Sequence, residues 1–112
     1  MEGSEIVQLM YLADLFKLLG DKTRLTIMAL LYVQSLCVRD LVEILQVSQP
    51  SVSQHLAKLR IQGLVKETRQ GAWVFYSINS EHMPIVKMIL DQMPDMQHTI
   101  KTMQNEQVKA AY

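Results

Sequence analysis

Apolar residues recur at three- and four-residue steps over residues 4–19. Ile6, Leu9, Leu12, Leu15, Phe16 and Leu19 form the stripe of an amphipathic helix, which Gly20 closes. Asp21 is placed to cap a second helix. Its apolar residues, Leu25, Ile27, Met28, Leu30 and Leu31, occupy more than one side, as in a buried helix. A third, shorter helix is predicted over Val38–Leu45 with Leu41, Ile44 and Leu45 inward. Ser48 and Pro50 then start a fourth, since serine caps a helix and the first turn needs no backbone donor from proline. After Gly63 the period changes. LVKETR and WVFYSI are rich in β-branched and aromatic residues, and RQGA between them holds the glycine of a tight turn, so a β-hairpin is predicted. Helical spacing resumes through Pro84, Ile85, Met88, Ile89 and Met93. Pro94 breaks or kinks it, and Met96, Ile100 and Met103 mark a last amphipathic segment.

This order predicts a mainly α fold with a β-hairpin, that of a winged helix-turn-helix. With 112 residues and 49% apolar composition the chain fits one compact domain, small enough to leave apolar surface for a dimer. Zero formal net charge excludes a polybasic coat that would grip any polyanion. Basic character is local: residues 46–79 hold Lys58, Arg60, Lys66 and Arg69 against Glu67 alone. Cys37 is the single cysteine, which rules out an intrachain disulfide and suggests a reducing compartment. No apolar run approaches the ~18 residues of a membrane span, and Glu2 and Glu5 are unlike a basic signal region. A cytoplasmic protein without a membrane partner is expected. A glycine-rich phosphate loop, HExxH and GxSxG are absent, and no histidine is spaced to pair with Cys37 or a serine, so neither an enzyme nor a cofactor is expected.

The stretch SQPSVSQHLAKLR carries the most specific chemistry. At ~100° per residue, Val52, His55, Leu56 and Leu59 share one side of the fourth helix, while Pro50, Ser53, Gln54, Ala57 and Lys58 share the other. That outward side offers a hydroxyl, an amide with donor and acceptor, a small methyl and a cation. Glutamine and serine match donor and acceptor patterns in the major groove of duplex DNA, and lysine serves phosphate. Gln49 and Ser51 in the first turn join this set. In the hairpin, Arg69, Gln70 and Gly71 sit at a tip able to approach phosphates or a minor groove. Trp73, Phe75 and Tyr76 fit stacking on single strands less well than packing on a core, above all Tyr76. His55 among apolar neighbours reads as a hydrogen-bonded packing residue.

The segments LFKLLGDKTRLTIMALL, LCVRDLVEILQVSQPSVSQHLAKLRIQGLV and RQGAWVFYSI resemble the arsenic- and metal-sensing bacterial repressors of the ArsR/SmtB type over residues 12–78. The resemblance implies a homodimeric winged-helix repressor that binds double-stranded operator DNA and leaves it when an inducer binds. It implies dimer contacts along residues 6–19 and 85–93, a reading helix over 49–62 and a wing over 64–78. Residues 1–93 would then be the DNA-binding and dimerisation domain and 94–112 a C-terminal helical extension or tail.

The sensing motifs depart from the family. Where its arsenic and cadmium sensors carry CxCD, this chain has Cys37, Val38, Arg39 and Asp40, and one sulfur beside a guanidinium is a poor soft-metal site. Where its zinc and cobalt sensors place four ligands, Ser80, His82, Met93 and Met96 stand, and only His82 matches. Neither an assembly of His82 with Asp91, Asp95 and His98 nor a copper site along Met93, Met96 and Met103 is favoured, so no metal is expected and the inducer is left open. At the start of the third helix beside Arg39, Cys37 would be pushed toward thiolate, which makes it a candidate redox sensor, with a small half-buried residue as the plainer reading. The competing function is a winged-helix protein-interaction module that does not bind DNA.

Overall fold

A computed structural model describes residues 3–79 and 84–111, with side chains through residue 107. The chain forms α1 (Gly3–Leu19), α2 (Lys22–Val33), β1 (Leu36–Cys37), α3 (Val38–Leu45), α4 (Gln49–Ile61), β2 (Val65–Gln70), β3 (Trp73–Ile78), α5 (Pro84–Leu90) and α6 (Gln97–Ala111). Asp21 accepts from the Arg24 N–H at 3.0 Å and so starts α2. Ser48 does the same for α4, its Oγ accepting from the Ser51 N–H at 3.3 Å, with Pro50 in the first turn.

The core gathers α2 around Ile27, Met28 and Leu30, α3 through Leu41, α4 through Val52, Leu56 and Leu59, and Leu64, Val65, Val86 and Leu90 from the later elements. α3 and α4 are joined by residues 46–48. Gln46 stands there at φ 56°, the left-handed region, its N–H bonded to the Val42 carbonyl at 2.9 Å and its side-chain amide to the Glu43 carbonyl at 2.6 Å. The hairpin β2–β3 is antiparallel with Val65 opposite Ile78 and Gln70 opposite Trp73.

Three features differ from the sequence expectations. The hairpin is part of a three-stranded sheet in the order β1-β3-β2, because Leu36 and Cys37 pair with Tyr76 and Phe75. On α1 only Leu15, Leu18 and Leu19 are buried, while Ile6, Leu9 and Phe16 of the expected stripe are exposed. The helix expected to run to Met93 ends at Leu90, where Asp91, Gln92 and Met93 form turn hydrogen bonds back to Lys87, Ile89 and Leu90. The amphipathic segment expected beyond Pro94 is the helix α6, whose Ile100 belongs to the same core as α2 and α4.

The environment expected of Cys37 is also corrected. It precedes α3, but it is only 8% exposed, and its nearest charge is the Asp40 carboxylate, 3.2 Å from Sγ, rather than the Arg39 guanidinium. Burial pushes the thiol above its ordinary range, and the Asp40 carboxylate adds to the rise. Backbone N–H groups of Asp40 and Arg39 oppose it without reversing it. Cys37 is a covered, protonated thiol, the opposite of an activated one.

Two outcomes follow. Because Leu56 is fully buried between layers, Leu56→Ala costs about 2 to 5 kcal/mol of unfolding free energy, measured by urea denaturation. Because its pKa is raised, Cys37 reacts slowly with a disulfide reagent at neutral pH, and its rate in the native protein climbs with pH to a midpoint above that of the unfolded chain.

Candidate nucleic-acid interface

Burial of Val52, Leu56 and Leu59 fixes the rotation of α4 about its axis, so the opposite side must face outward. Gln49, Pro50, Gln54 and Lys58 are exposed there, with Ser51, Ser53 and Ala57 half-buried along the edges. Among the described residues the Ser53 and Gln54 side chains make no hydrogen bond; Gln54 is exposed and Ser53 half-buried. His55 is the hydrogen-bonded packing residue that its neighbours suggested. The Arg24 guanidinium donates to its Nδ1 at 3.3 Å, while Arg24 Nε donates to the Leu18 carbonyl at 2.7 Å. Arg24 therefore ties α4 to the junction of α1 and α2. Depression of the Asp21 carboxyl, caused first by the Arg24 N–H, keeps the cap of α2 ionised at neutral pH.

The wing brings its cations to the same end. Glu67, the sole acid of residues 46–79, lies 3.8 Å from Arg60 and accepts from the Tyr76 hydroxyl at 3.1 Å. Burial, and then the Glu67 carboxylate, raise the Tyr76 phenol, so it stays a donor. Glu67 is thereby occupied within the protein, while Lys58, Lys66 and Arg69 keep exposed side chains. At the tip, Gly71 has φ +61° and Ala72 does not share that sign, the two-residue arrangement that needs glycine first. Arg69, Gln70 and Gly71 are exposed around it. Six of the nine candidate positions are exposed or half-buried on α4 and three lie at the exposed wing tip, and the Arg60–Glu67 pair joins the C-terminal end of α4 to β2.

Two residues beside the candidate positions, Ile61 and Lys17, escaped the sequence reading, and a third, Trp73, was weighed there for stacking. Ile61 is 77% exposed and lies seven residues after Gln54, hence on the same side of α4; extending the helical wheel by one turn would have found it. Lys17 lines a groove with Asp14, Arg24, Lys58 and Gln62, so α1 brings one cation and one acid beside α4; their position depends on a tertiary contact that no local spacing announces. Trp73 is 51% exposed, in contrast to the packed Tyr76.

The described members of the sensing alternatives have other partners or positions in the fold. Among the described residues no three His, Cys, Asp or Glu side chains converge as a metal site. Asp91 accepts from the Tyr32 hydroxyl and lies 3.5 Å from Lys87; that hydrogen bond first, then the lysine, holds its carboxyl below the ordinary range. Asp95 accepts from the Gln97 N–H at 2.9 Å at the start of α6, and His98 is exposed on that helix. Met93 and Met96 pack against the core. Ser80 and His82 lie outside the described residues. A lone, covered thiol next to Asp40 does not fit the thiolate set that arsenic or cadmium requires.

The family model described as "Bacterial regulatory protein, arsR family" matches residues 21–67, which run from the cap of α2 into β2. An arsenical resistance operon repressor of Escherichia coli (strain K12) is 51% identical over 72 residues, 63% of this chain and 61% of that one, so the chain spans about three fifths of its length. A transcriptional repressor SmtB homolog of Synechocystis sp. is 38% identical over 95 residues, 84% of this chain and 72% of that one. Among solved structures, reduced HlyU from Vibrio cholerae N16961 superposes with a TM-score of 0.69 at 31% identity, covering 80% of this chain and 92% of that one. These relatives are regulators rather than enzymes, and the shared fold is the winged helix-turn-helix. The matched region holds the capped α2 and the α3–α4 pair, and with the SmtB homolog 38% identical over 84% of this chain and 72% of its own, the chain belongs to the arsR family of bacterial regulatory proteins.

Proposed function

We propose that the chain is a homodimeric transcriptional repressor that reads operator DNA with α4 and holds the flanking backbone with the wing. One observation carries this reading: the side of α4 turned away from the core presents Ser53 and Gln54 with unused donors and acceptors, bracketed by Lys58, Lys66 and Arg69. An amide and a hydroxyl so placed can satisfy base edges in a major groove, and the cations can replace phosphate counterions. A repressing role is supported by the family and by relatives named as repressors.

Dimerisation is supported by α1 and α5. Ile6, Leu9, Met10 and Phe16 on α1, and Met88 on α5 at 69% exposure, are large apolar groups that a lone copy leaves in water. Phe16 also borders a groove with Ile85, Met88 and Ile89 that joins the two helices into one apolar surface. A second copy covering that surface would set two α4 helices on one face of the duplex, ~34 Å apart, as successive major grooves require. The signal that releases the dimer would be something other than a metal held by several thiolates, since Cys37 has no second thiol.

The test is binding to a duplex selected from a random pool, with Gln54 and Lys58 substituted separately. Gln54→Ala is expected to cost roughly 1 to 3 kcal/mol on the selected duplex and to relax preference at one position, with little change on random sequence. Lys58→Ala is expected to weaken both alike and to lower the slope of log K against log salt by about 1. Equal losses on both duplexes for both variants would contradict these roles. For the assembly, sedimentation is expected to give a dimer, and Met88→Glu to shift it toward monomer with loss of operator binding; a monomeric wild type that binds fully would remove the paired arrangement.

A further inference from the structure

The wing exposes an aromatic residue that neither the core nor phosphate contact explains. Trp73 opens β3 directly opposite Gln70, so the two side chains project from the same face of the ribbon at its free end. With Thr68 opposite Phe75 and Lys66 opposite Ser77, that face contains a cation and no acid. Glu67 lies on the other face, paired with Tyr76 across the strands and occupied by Arg60. Half of the largest side chain in the chain is therefore held in water, on a neutral-to-basic surface beside a glycine turn.

Reach selects the occupant. Six residues per strand at about 3.3 Å each give a ribbon roughly 20 Å long. It is rooted beside the C-terminal end of α4, to which Leu64 returns through its N–H bonded to the Leu59 carbonyl at 2.9 Å. With α4 in a major groove about 12 Å wide, such a ribbon crosses one sugar-phosphate backbone, and its tip arrives at the neighbouring minor groove, about 6 Å wide. An indole is thin enough to enter there. Its faces suit deoxyribose and base edges, and its single donor suits the acceptors that line that groove. The α1 and α5 surface proposed for the second copy is built from other elements and does not include the wing.

On this geometry we infer that Trp73 is a minor-groove contact residue, inserted beside each half-site while Lys66 and Arg69 hold the phosphates on either side. This inference rests on the reading that α4 engages duplex DNA. It makes the wing responsive to the width and exocyclic groups of the flanking minor groove, in addition to phosphate charge.

Trp73 is the only tryptophan, so its fluorescence reports on this contact alone. Full-length protein is titrated with the duplex selected from a random pool, in parallel with an end-labelled duplex that reports binding independently. Binding is expected to shift Trp73 emission and cut its quenching by acrylamide severalfold. Trp73→Ala is expected to weaken binding about tenfold and Trp73→Phe far less, with both variants melting as wild type does. Replacing flanking guanosine by inosine removes only a minor-groove amino group; it is expected to alter wild-type affinity and leave Trp73→Ala unchanged. If the labelled duplex is bound but acrylamide still reaches Trp73 freely, or Trp73→Ala binds as wild type, this inference fails and the reading by α4 stands. If no duplex can be selected or bound, both fail.

Discussion

The arrangement depends on one constraint, the burial of Val52, Leu56 and Leu59 beneath α4. Each contributes about 1.5 to 3 kcal/mol by leaving water, whereas a thirteen-residue helix has little stability of its own. Packing therefore decides both that α4 exists and how it is rotated. Arg24 reinforces the same orientation from the side, because it holds His55 of α4 and the Leu18 carbonyl of α1 together. Once the apolar side is pinned, Ser53, Gln54 and Lys58 have nowhere to point but outward. A reading surface made of short neutral groups gains from such rigidity, since a base-edge hydrogen bond is lost by a modest error in rotation.

Local signals carried much of this into the sequence. The caps at Asp21 and Ser48, the bounds of α3 and the inward set of α4 all follow from rules that act within a few residues. What escaped was tertiary. A two-residue strand has no period of its own, and β1 exists only because β3, about forty residues later, supplies its partner. The stripe on α1 was visible, but periodicity names the apolar side without saying what covers it, and within one copy most of it is bare. Cys37 failed for a related reason: sequence adjacency favoured Arg39, while the helical turn brought Asp40 against the sulfur. For the candidate interface, the positions were legible from the wheel and the turn chemistry. Ile61 was passed over because the wheel was read only to Leu59, and the exposure of Trp73 was left open because alternation on a short hairpin does not say which residues the core covers.

A chain with zero net charge can still present a surface suited to a polyanion if its acids are placed elsewhere or occupied. Here both devices operate. Glu67 is occupied by Arg60 and Tyr76, Asp91 and Asp95 sit at the end of α5 and the start of α6 with partners of their own, and Asp14 faces a groove it shares with Lys17, Arg24 and Lys58. Local charge then steers association, and overall neutrality keeps the chain from gripping every polyanion it meets. Discrimination has to come from geometry, which is the task that a fixed α4 and a short wing are suited to perform.

That demand extends to the distance between the two reading helices of a dimer. Their separation is set wherever the copies meet, yet it must be conveyed to α4 through each subunit without slack. The packing supplies such a route: Leu90 at the end of α5 shares a core with Ile27 and Leu30 of α2, which in turn lie against the buried side of α4. The Tyr32 hydroxyl on Asp91 adds a polar clasp between α2 and the end of α5, and α6 braces the other helix of the reading pair, with Gln107 bonded to Glu43 of α3 at 2.6 Å. Close-packed interiors deform little, so the spacing between α5 and α4 within one copy is held firmly by this shared core.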